Sequence, residues 1–320
     1  MADIRSQLIE VFEDTQRFYT EDAGLAAAVK DSRDHTKLYE VEDYPELPVL
    51  GTTESLMRIA DDPNGSLSAQ GVAAEAIAKI KAGEANDPIE HMQEVRVTKH
   101  KTFEAAIGLH KEFPDKKIAV LNFASATRPG GGVKTGSSAQ EESLCRCSTL
   151  YPTLDRGWLW QKYYDVNRAA HDVRHSDACI YSPGIVICKT DERIPTRMRP
   201  EDFVVVDVIS CAAPNLRNEP SNWHNSETGK AIQMPEVELF RLHLQRAKHI
   251  MHIAAANKVD ILVLGAFGCG AFMNDPEVVA KAYHAALASY RARFDVIEFA
   301  IYCRDYETAN YDAFKSRPWF

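Results

Sequence analysis

The segment KIAVLNFASATRPGGGVKTGSSAQEESLCRC, residues 117–147, joins three patterns that together indicate the fold. Its first part, KIAVLNFAS (117–125), has the length and composition of a buried β-strand. A loop with three consecutive glycines follows, and the chain then enters a predicted helix, 139–150. Since ligands gather where strands end and helices begin in an open α/β sheet, this segment predicts both a fold class and the position of a site.

The same alternation continues on both sides of this segment, from about residue 94 onwards. We predict strands at 95–99, 117–125, 178–189, 203–213, 260–269 and 296–303, and helices at 101–113, 139–150, 235–257 and 275–292. Because no helix separates 178–189 from 203–213, the α/β sheet is expected to be mixed, with helices covering both of its faces. The polar stretch 214–234 is predicted to be a long surface loop.

The N-terminal part of the chain follows a different pattern. Residues 3–19 and 69–83 have a helical spacing of apolar side chains, and the second segment ends at a glycine that suits a helix C-cap. We therefore predict an N-terminal helical extension, residues 1–90, in front of an α/β catalytic domain, residues 91–320.

The overall composition is ordinary for a globular protein, with 45% hydrophobic and 26% charged residues. No run approaches the roughly 18–20 apolar residues of a membrane span, and the first residues lack the features of a secretion signal. Together with an odd number of cysteines, seven, these features predict a cytoplasmic protein with reduced thiols and no membrane contact. Cys145 and Cys147 form a C-x-C pair without further residues at zinc-binding spacing, so no metal site is predicted.

Two glycine-rich loops could bind an anion locally, whereas the formal net charge of −9 argues against a broad nucleic-acid-binding surface. Gly130, Gly131 and Gly132 follow one predicted strand, and LVLGAFGCGAFMNDP (262–276) lies at the end of another. Three glycines in succession exceed what one tight turn requires, although a mobile surface loop would have the same sequence. The second loop favours a ligand site, because two such loops at strand ends could clamp a diphosphate.

Neither loop matches the common signatures of other nucleotide-binding or hydrolytic sites. The sequence has no G-x-x-x-x-G-K-[ST] loop, no G-x-G-x-x-G directly between a strand and a helix, and no G-x-S-x-G nucleophile elbow. These signatures therefore do not account for the two loops.

Two acidic residues at the start of the predicted helix 139–150 are candidates for catalysis. Ser138 and Glu141 have the spacing of a capping box, in which Glu141 would bond back to the N-cap amide. Glu142 has no such structural role. Adjacent helical residues point about 100° apart, so the two side chains are not expected to flank one bond as a facing carboxylate pair. The pattern favours Glu142 as a single acid that acts with a water molecule.

Other residues near the two loops have both a functional and a structural interpretation. Asn122, at a strand end, could bond sugar hydroxyls or simply be solvated there. Phe272 could wall a sugar or base, or pack at the entry of a helix. Arg128 and Lys134 could meet phosphates, but isolated surface charges are usually only solvated, and we give them little weight.

The spacing of the glycines and the acidic pair resembles a known family signature. Gly130-Gly131-Gly132, seven residues, and then Gln140-Glu141-Glu142 is similar to the signature of poly(ADP-ribose) glycohydrolases, which have a macrodomain fold. The surrounding NFASATRPGGG, AQEESLCRCSTLY and LGAFGCGAFMNDP resemble the bacterial-type branch over roughly residues 94–303. The resemblance implies a macrodomain-like mixed β-sheet flanked by helices, in a branch that often carries an N-terminal helical extension.

The resemblance also implies an activity and a role for each residue of the signature. The enzyme would cleave ribose–ribose O-glycosidic bonds, mainly from chain ends, and release ADP-ribose without a metal or another cofactor. Glu142 would protonate the leaving ribose oxygen and then activate water, while Glu141 and Asn122 would bind the ribose being cleaved. The other residues implied to bind substrate are Gly130, Gly131, Gly132, Gln140, Gly268, Cys269, Gly270, Ala271 and Phe272.

Two other functions remain compatible with this sequence. A non-catalytic macrodomain would bind ADP-ribose without cleaving it, although such a protein needs no acid beside the glycosidic oxygen. A hydrolase of mono-ADP-ribosylated side chains would have a similar pocket. In each case the partner is poly(ADP-ribose) or an ADP-ribosylated protein; cleavage would yield ADP-ribose, and neither a membrane nor a sequence-specific nucleic acid is expected.

Overall fold

The structure is a computed structural model that describes residues 3–41, 47, 60–61, 67–82, 94–221 and 229–319. The predicted domain boundary near residue 90 and the middle of the predicted loop 214–234 lie outside these ranges. No helix within them combines the length and the hydropathy that crossing a membrane requires.

The described helices and strands alternate along most of the chain. The helices are α1 (Ile4–Glu21), α2 (Ala23–His35), α3 (Leu67–Lys81), α4 (Thr102–Glu112), α5 (Gln140–Cys147), α6 (Tyr151–Leu154), α7 (Gly157–Leu159), α8 (Asp165–Ala170), α9 (Glu236–Ala256), α10 (Pro276–Tyr290) and α11 (Ala309–Lys315), with a π-helical turn at Trp160–Tyr164 between α7 and α8. The strands are β1 (Lys37–Tyr39), β2 (Glu94–Thr98), β3 (Ile118–Phe123), β4 (Cys179–Ile187), β5 (Val204–Cys211), β6 (Ile261–Leu264) and β7 (Val296–Ala300).

These strands form one seven-stranded sheet in the order β1-β4-β5-β3-β6-β7-β2. The pairs β1–β4 and β4–β5 are antiparallel, whereas β5–β3, β3–β6, β6–β7 and β7–β2 are parallel. The predicted mixed sheet is confirmed, and its cause is the direct succession of β4 and β5 without a crossover helix. The parallel arrangement places the carboxyl ends of β3, β6 and β7 at the same edge of the sheet.

Helices cover both faces of the sheet, as predicted from the alternating pattern. Neighbouring residues of β3 point into different clusters: Leu121 packs with Met251 of α9, and Val120 packs with Leu144 of α5 and Tyr163 of the π-helical turn. Each of these side chains is at most 1% exposed. A fully buried apolar side chain contributes about 1.5–3 kcal/mol, so the two clusters hold α5 and α9 firmly against opposite faces of β3.

Several predicted elements end earlier in the structure than expected, among them one helix and one strand next to the two glycine-rich loops. The helix predicted at 139–150 ends at Cys147, because Ser148 is extended and forms an antiparallel bridge with Ile187, and the separate α6 begins only at Tyr151. The strand predicted at 260–269 ends at Leu264, and the rest of that range belongs to the following loop.

The N-terminal segment packs directly on the sheet. Leu25 and Val29 of α2 form a small core with Val186 of β4. After α2, β1 adds to the free edge of β4, with Lys37 opposite Tyr181. The segment therefore contributes a strand as well as the predicted helices, and the division into extension and domain at residue 90 stays a prediction.

Candidate active site

The site begins where β3 separates from β6. The two strands pair as far as Val120, although β3 continues to Phe123. The side-chain amide of Gln140, the first residue of α5, bonds the open edge: Nε2 donates to the Leu121 carbonyl at 2.7 Å, and Oε1 accepts the Phe123 N–H at 2.8 Å. Nε2 also donates to Thr102 Oγ1 at 3.0 Å. The amide thus replaces a strand neighbour and fixes the start of α5 at the carboxyl end of β3.

The loop between β3 and α5, residues 124–139 and hereafter the glycine loop, packs against both acidic side chains. Gly130 and Gly131 have φ values of 65° and 51°, a region that favours glycine. A Cβ on Gly131 would lie 2.6 Å from Glu142 Oε1 and 3.2 Å from Glu141 Oε2. Both carboxylates therefore approach the same point of the loop backbone, although they leave α5 in different directions.

Glu141 does not cap its own helix. The N-cap of α5 is Ala139, and no side chain bonds the N-terminal amides there, so the capping box predicted from Ser138 and Glu141 is wrong. Glu141 Oε2 instead accepts the Ser125 N–H at 2.7 Å, and Oε1 accepts a longer bond from Asn122 Nδ2 at 3.3 Å. The carboxyl group is turned towards the end of β3 because these donors are available there.

The buried position of Glu141 changes its acidity. Burial raises the pKa of Glu141 to about 8, and the neighbouring charge of Glu142 acts in the same direction. The hydrogen bonds from Ser125 and Asn122 act in the opposite direction and are outweighed. The site can therefore hold a proton on a carboxyl group at neutral pH.

Glu142 has one oxygen that is fixed and one that lacks a partner. Oε1 accepts the Gly132 N–H at 2.8 Å. Oε2 is buried and has no hydrogen-bond partner among the described residues. Leaving a buried polar atom unpaired costs roughly 1–3 kcal/mol, and such atoms call for a functional explanation. Together with Asn122 Oδ1, Glu142 Oε2 belongs to the buried oxygens at the carboxyl end of β3 that have no partner among the described residues.

Asn122 is fully buried, so its interpretation as a solvated strand-end residue is wrong. It lies opposite Ser210 of β5 in the sheet. Its Nδ2 donates to Ser210 Oγ at 2.9 Å and also makes the longer bond to Glu141 Oε1. Its Oδ1 is buried and unpartnered within the described part of the chain. Asn122 thus supports Glu141 and leaves one acceptor beside the acidic pair.

The second glycine loop is held from within by Asn274. Its Nδ2 lies within bonding distance of the carbonyls of Pro214, Gly268 and Phe272, at 2.7, 3.1 and 3.1 Å. Its Oδ1 lies 2.7 Å from Nε2 of His243 on α9 and accepts from the tautomer that is protonated there. The Asn274 side chain therefore links the two ends of the loop segment Gly268–Phe272 to each other and to Pro214.

The two loops lie at the carboxyl ends of neighbouring parallel strands. The rings of Phe123, at the end of β3, and Phe267, after β6, are 5.7 Å apart. Cys269 is buried, whereas Gly270 and Ala271 are exposed. The loop therefore presents backbone at its tip and turns its thiol inwards.

Phe272 and Lys134 have partners that bear on their predicted roles. Phe272 is half-buried between the ring of His175, at 6.1 Å, and the guanidinium of Arg217, at 5.5 Å. It packs partly on the core and keeps one part of its ring accessible. Lys134 lies 3.8 Å from the carboxylate of Asp155, which agrees with the low weight given to it as a phosphate ligand.

A comparison with protein families shows to which family the chain belongs. The family model "Microbial-type PARG, catalytic domain" matches residues 13–190, more than half of the chain. The chain belongs to the microbial-type poly(ADP-ribose) glycohydrolase (PARG) family. The matched range includes the glycine loop and both acidic residues. The predicted family and enzyme class are confirmed, and this PARG family member is a glycoside-cleaving hydrolase.

Solved PARG structures share the fold. The enzyme from Thermomonospora curvata is 26% identical, with a TM-score of 0.71 over 98% of this chain and 100% of that chain. The enzyme from Deinococcus radiodurans in complex with ADP-ribose is 29% identical, with a TM-score of 0.64 over 90% of this chain and 95% of that chain. A search of curated proteins found no match. The predicted macrodomain-like α/β fold is confirmed.

Several residues that hold this PARG site together were not predicted from the sequence. Ser125, Ser210 and Asn274 each bond a predicted site residue or loop. Ser210 lies 88 residues from its partner Asn122, and only strand register brings the two together. Ser125 and Asn274 lie within NFASATRPGGG and LGAFGCGAFMNDP, and this position is the one signal in the sequence that could have identified them.

Proposed function

We propose that this chain hydrolyses the ribose–ribose O-glycosidic bonds of poly(ADP-ribose), mainly from chain ends, with Glu142 as the acid and base of the reaction. The observation that carries this assignment is the geometry of Glu142, whose Oε1 accepts the Gly132 N–H at 2.8 Å while Oε2 is buried and unpartnered. One oxygen orients the carboxyl group, and the other can exchange a proton with the substrate.

The reaction has two steps. The first step requires the proton of the acidic pair to be on Glu142. The Glu142 carboxylic acid donates this proton to the leaving ribose oxygen, and the bond between that oxygen and the anomeric carbon breaks to form an oxocarbenium-like centre. In the second, the Glu142 carboxylate takes a proton from a water molecule as the water oxygen bonds to that carbon. The products are ADP-ribose and a polymer shortened by one unit, and Glu142 regains its proton.

The residues around Glu142 are assigned to the sugar. Glu141 and Asn122 lie beside one another, linked by the 3.3 Å contact, and we assign them to the hydroxyls of the ribose being cleaved. For Gln140, which was predicted to bind substrate, the bonds to β3 support a positioning role, because both ends of its amide already bond backbone.

The two loops are assigned to the rest of the ADP-ribose unit. Backbone at Gly130–Gly132 and Gly268–Ala271 is assigned to the diphosphate, since glycines at positive φ allow a close approach of N–H groups to an anion. The accessible part of Phe272 is assigned to the terminal ribose. The bond network of Asn274 supports this assignment because it links both ends of the Gly268–Phe272 segment.

Release of ADP-ribose from automodified polymer tests the assignment of Glu142. Glu142→Gln keeps an oxygen that can accept the Gly132 N–H but provides no acid, so we expect release to slow by about 10²–10⁴-fold. ADP-ribose binding, measured by calorimetry, should persist. Glu277→Gln, at an exposed position on α10, is the matched control and should behave as the wild type. Wild-type release by Glu142→Gln would place the acid elsewhere.

The alternative functions predict different outcomes in the same assay. A non-catalytic binder would bind ADP-ribose and release none from polymer. A mono-ADP-ribosyl hydrolase would release ADP-ribose faster from singly modified protein than from polymer supplied at the same concentration of ADP-ribose units. The unpartnered Oε2 of Glu142 favours a catalytic site over a binding module.

We also infer a cytoplasmic location. All seven cysteines are free thiols, and six of them are buried, which supports a reducing compartment. Fractionation of cells that express the chain should recover it with cytoplasmic proteins, and recovery in an exported or membrane fraction would contradict this location.

A further inference from the structure

The C-terminal end of α5 is held by the N-terminal helix α1. A helix leaves its last carbonyl groups without helical partners. In α5, the Arg146 carbonyl accepts a hydrogen bond from Thr15 Oγ1 at 2.6 Å, and the Cys147 carbonyl accepts the N–H groups of Cys188 and Lys189. Thr15 is fully buried and lies 131 residues before Arg146. Thus α1 provides one of the caps of the helix that carries Glu142.

The side chain of Arg146 reaches from α5 to the glycine loop. It is 2% exposed, and its Nη1 donates to the Ser137 carbonyl at 2.5 Å. Burial lowers the pKa of Arg146; the carboxylates of Glu142 and Asp191 attract the guanidinium, but neither is close enough to form a salt bridge with it. Because burying an unpaired cation is costly, a guanidinium at this place requires an explanation beyond packing.

Ser137 in turn determines where Gly132 lies. The Ser137 N–H donates to the Gly132 carbonyl at 3.1 Å, and a Cβ on Gly132 would collide with Ser137 Oγ. The Gly132 N–H is the donor that orients Glu142 Oε1. A continuous series of contacts therefore runs from Thr15 through Arg146, Ser137 and Gly132 to Glu142.

Two further contacts of α1 reinforce this arrangement. A Cβ on Gly136, where φ is 75°, would lie 2.6 Å from Cγ of Arg5 and closer still to its carbonyl oxygen. The ring of Phe12 packs edge-on against Tyr151 at 5.0 Å, and the Tyr151 ring lies 2.8 Å from where a Cβ on Gly130 would be. Thus α1 supports the glycine loop from several sides.

We propose that Thr15 and Arg146 are positioning residues for the glycohydrolase reaction. Through these two residues, α1 holds the glycine loop close to α5, at the distance where the Gly132 N–H bonds and orients Glu142. This rests on the proposed role of Glu142. The N-terminal helix then acts on catalysis without touching substrate. Loss of the Thr15 or Arg146 contact should lower kcat more than it weakens substrate binding, because this series of contacts ends at the Gly132 N–H that orients the acid.

Substitutions at Thr15 test this role with little change of shape. Thr15→Val removes the donor to the Arg146 carbonyl, and we expect kcat for ADP-ribose release to fall about fivefold, the equivalent of ~1 kcal/mol, with KM changed by less than about twofold. Thr15→Ser keeps the hydroxyl and should restore kcat. Thr20→Val is the matched control, because Thr20 is exposed on the same helix and bonds the Gln16 carbonyl within it.

Substitutions at Arg146 test the next contact. Arg146→Met should lower kcat by at least about tenfold, and Arg146→Lys should recover part of the loss. Wild-type kcat in Thr15→Val, or a Thr15→Ser variant as slow as Thr15→Val, would overturn the positioning role, whether or not Arg146→Met folds. A wild-type chain that releases no ADP-ribose would instead contradict the proposed function, so the two failures are distinguishable.

Discussion

At the scale of single residues, the site gives two consecutive carboxyl groups different surroundings. Glu141 accepts hydrogen bonds from the Ser125 N–H and from Asn122, whereas Glu142 accepts one bond from Gly132 and keeps a buried oxygen unpartnered. Neighbouring acids in different environments can divide the tasks of binding and proton transfer. We assign binding to Glu141 and proton transfer to Glu142 on this basis.

The raised pKa of Glu141 predicts how stability depends on pH. Its pKa of about 8 lies above the ordinary value of 4.5, so the folded protein binds this proton more tightly than the unfolded chain does. The stabilisation is fully present below the ordinary pKa and is lost as the pH rises through the folded pKa. The melting temperature should therefore fall between about pH 5 and pH 8 in the wild type.

Thermal unfolding of Glu141→Gln over the same pH range provides the check. This variant has no carboxyl proton to lose at position 141, so its melting temperature should fall less across the range. Parallel curves for the two proteins would mean that the pKa of Glu141 is not raised.

At the scale of elements, the gap between β3 and β6 depends on the start of α5. Beyond Val120, the β3 backbone no longer pairs with β6, and the Gln140 amide bonds the Leu121 carbonyl and the Phe123 N–H instead. One side chain thus satisfies backbone groups that would otherwise pair with a strand, and it allows the sheet to open where the ligand is proposed to bind.

Hydrogen exchange can test this function of Gln140. Gln140→Ala leaves the Phe123 N–H without its acceptor, so its exchange should accelerate by roughly tenfold, the equivalent of ~1–1.5 kcal/mol of local stability. Gln245→Ala is the matched control, because the Gln245 amide is exposed and donates to the Asp177 carboxylate, away from β3. Unchanged exchange at Phe123 in Gln140→Ala, measured by NMR, would show that other contacts hold this edge.

At the scale of the whole molecule, the N-terminal segment contributes to the core and to the sheet. Leu8, Phe12 and Leu25 are at most 5% exposed, and β1 pairs along β4. The family match also begins within α1, at residue 13. Burial of each of these three side chains contributes about 1.5–3 kcal/mol to stability. The total free energy of unfolding of a native protein is only roughly 5–15 kcal/mol.

A truncation that starts near residue 91 tests this dependence. We expect it to lose cooperative thermal unfolding and ADP-ribose release together, because the edge of β4 and the surface beneath α1 would become exposed. The full-length chain in the same buffer is the control. A truncated chain that unfolds cooperatively and keeps its activity would instead establish residues 1–90 as a separable extension.

Local sequence patterns were sufficient for the fold class and for the family. Strands and helices each bury their side chains with a characteristic spacing, so their alternation can be recognised from the sequence of each element. The absence of a predicted helix between β4 and β5 predicted the mixed sheet. Gly130–Gly132 and the acidic pair at their spacing identified the family. Gly131 also shows why the glycines are needed, since a side chain there would collide with Glu142.

The tertiary structure decided what those residues contact. Glu141 was expected to cap α5, but its carboxyl group bonds Ser125, because the fold brings that N–H close and the local cap does not form. The support of the loop by Thr15 through Arg146 joins positions 131 residues apart. No local pattern encodes such a contact, because it exists only once α1 and α5 have packed. Sequence alone thus indicated Glu142 as the candidate acid, and tertiary packing determined which groups contact it.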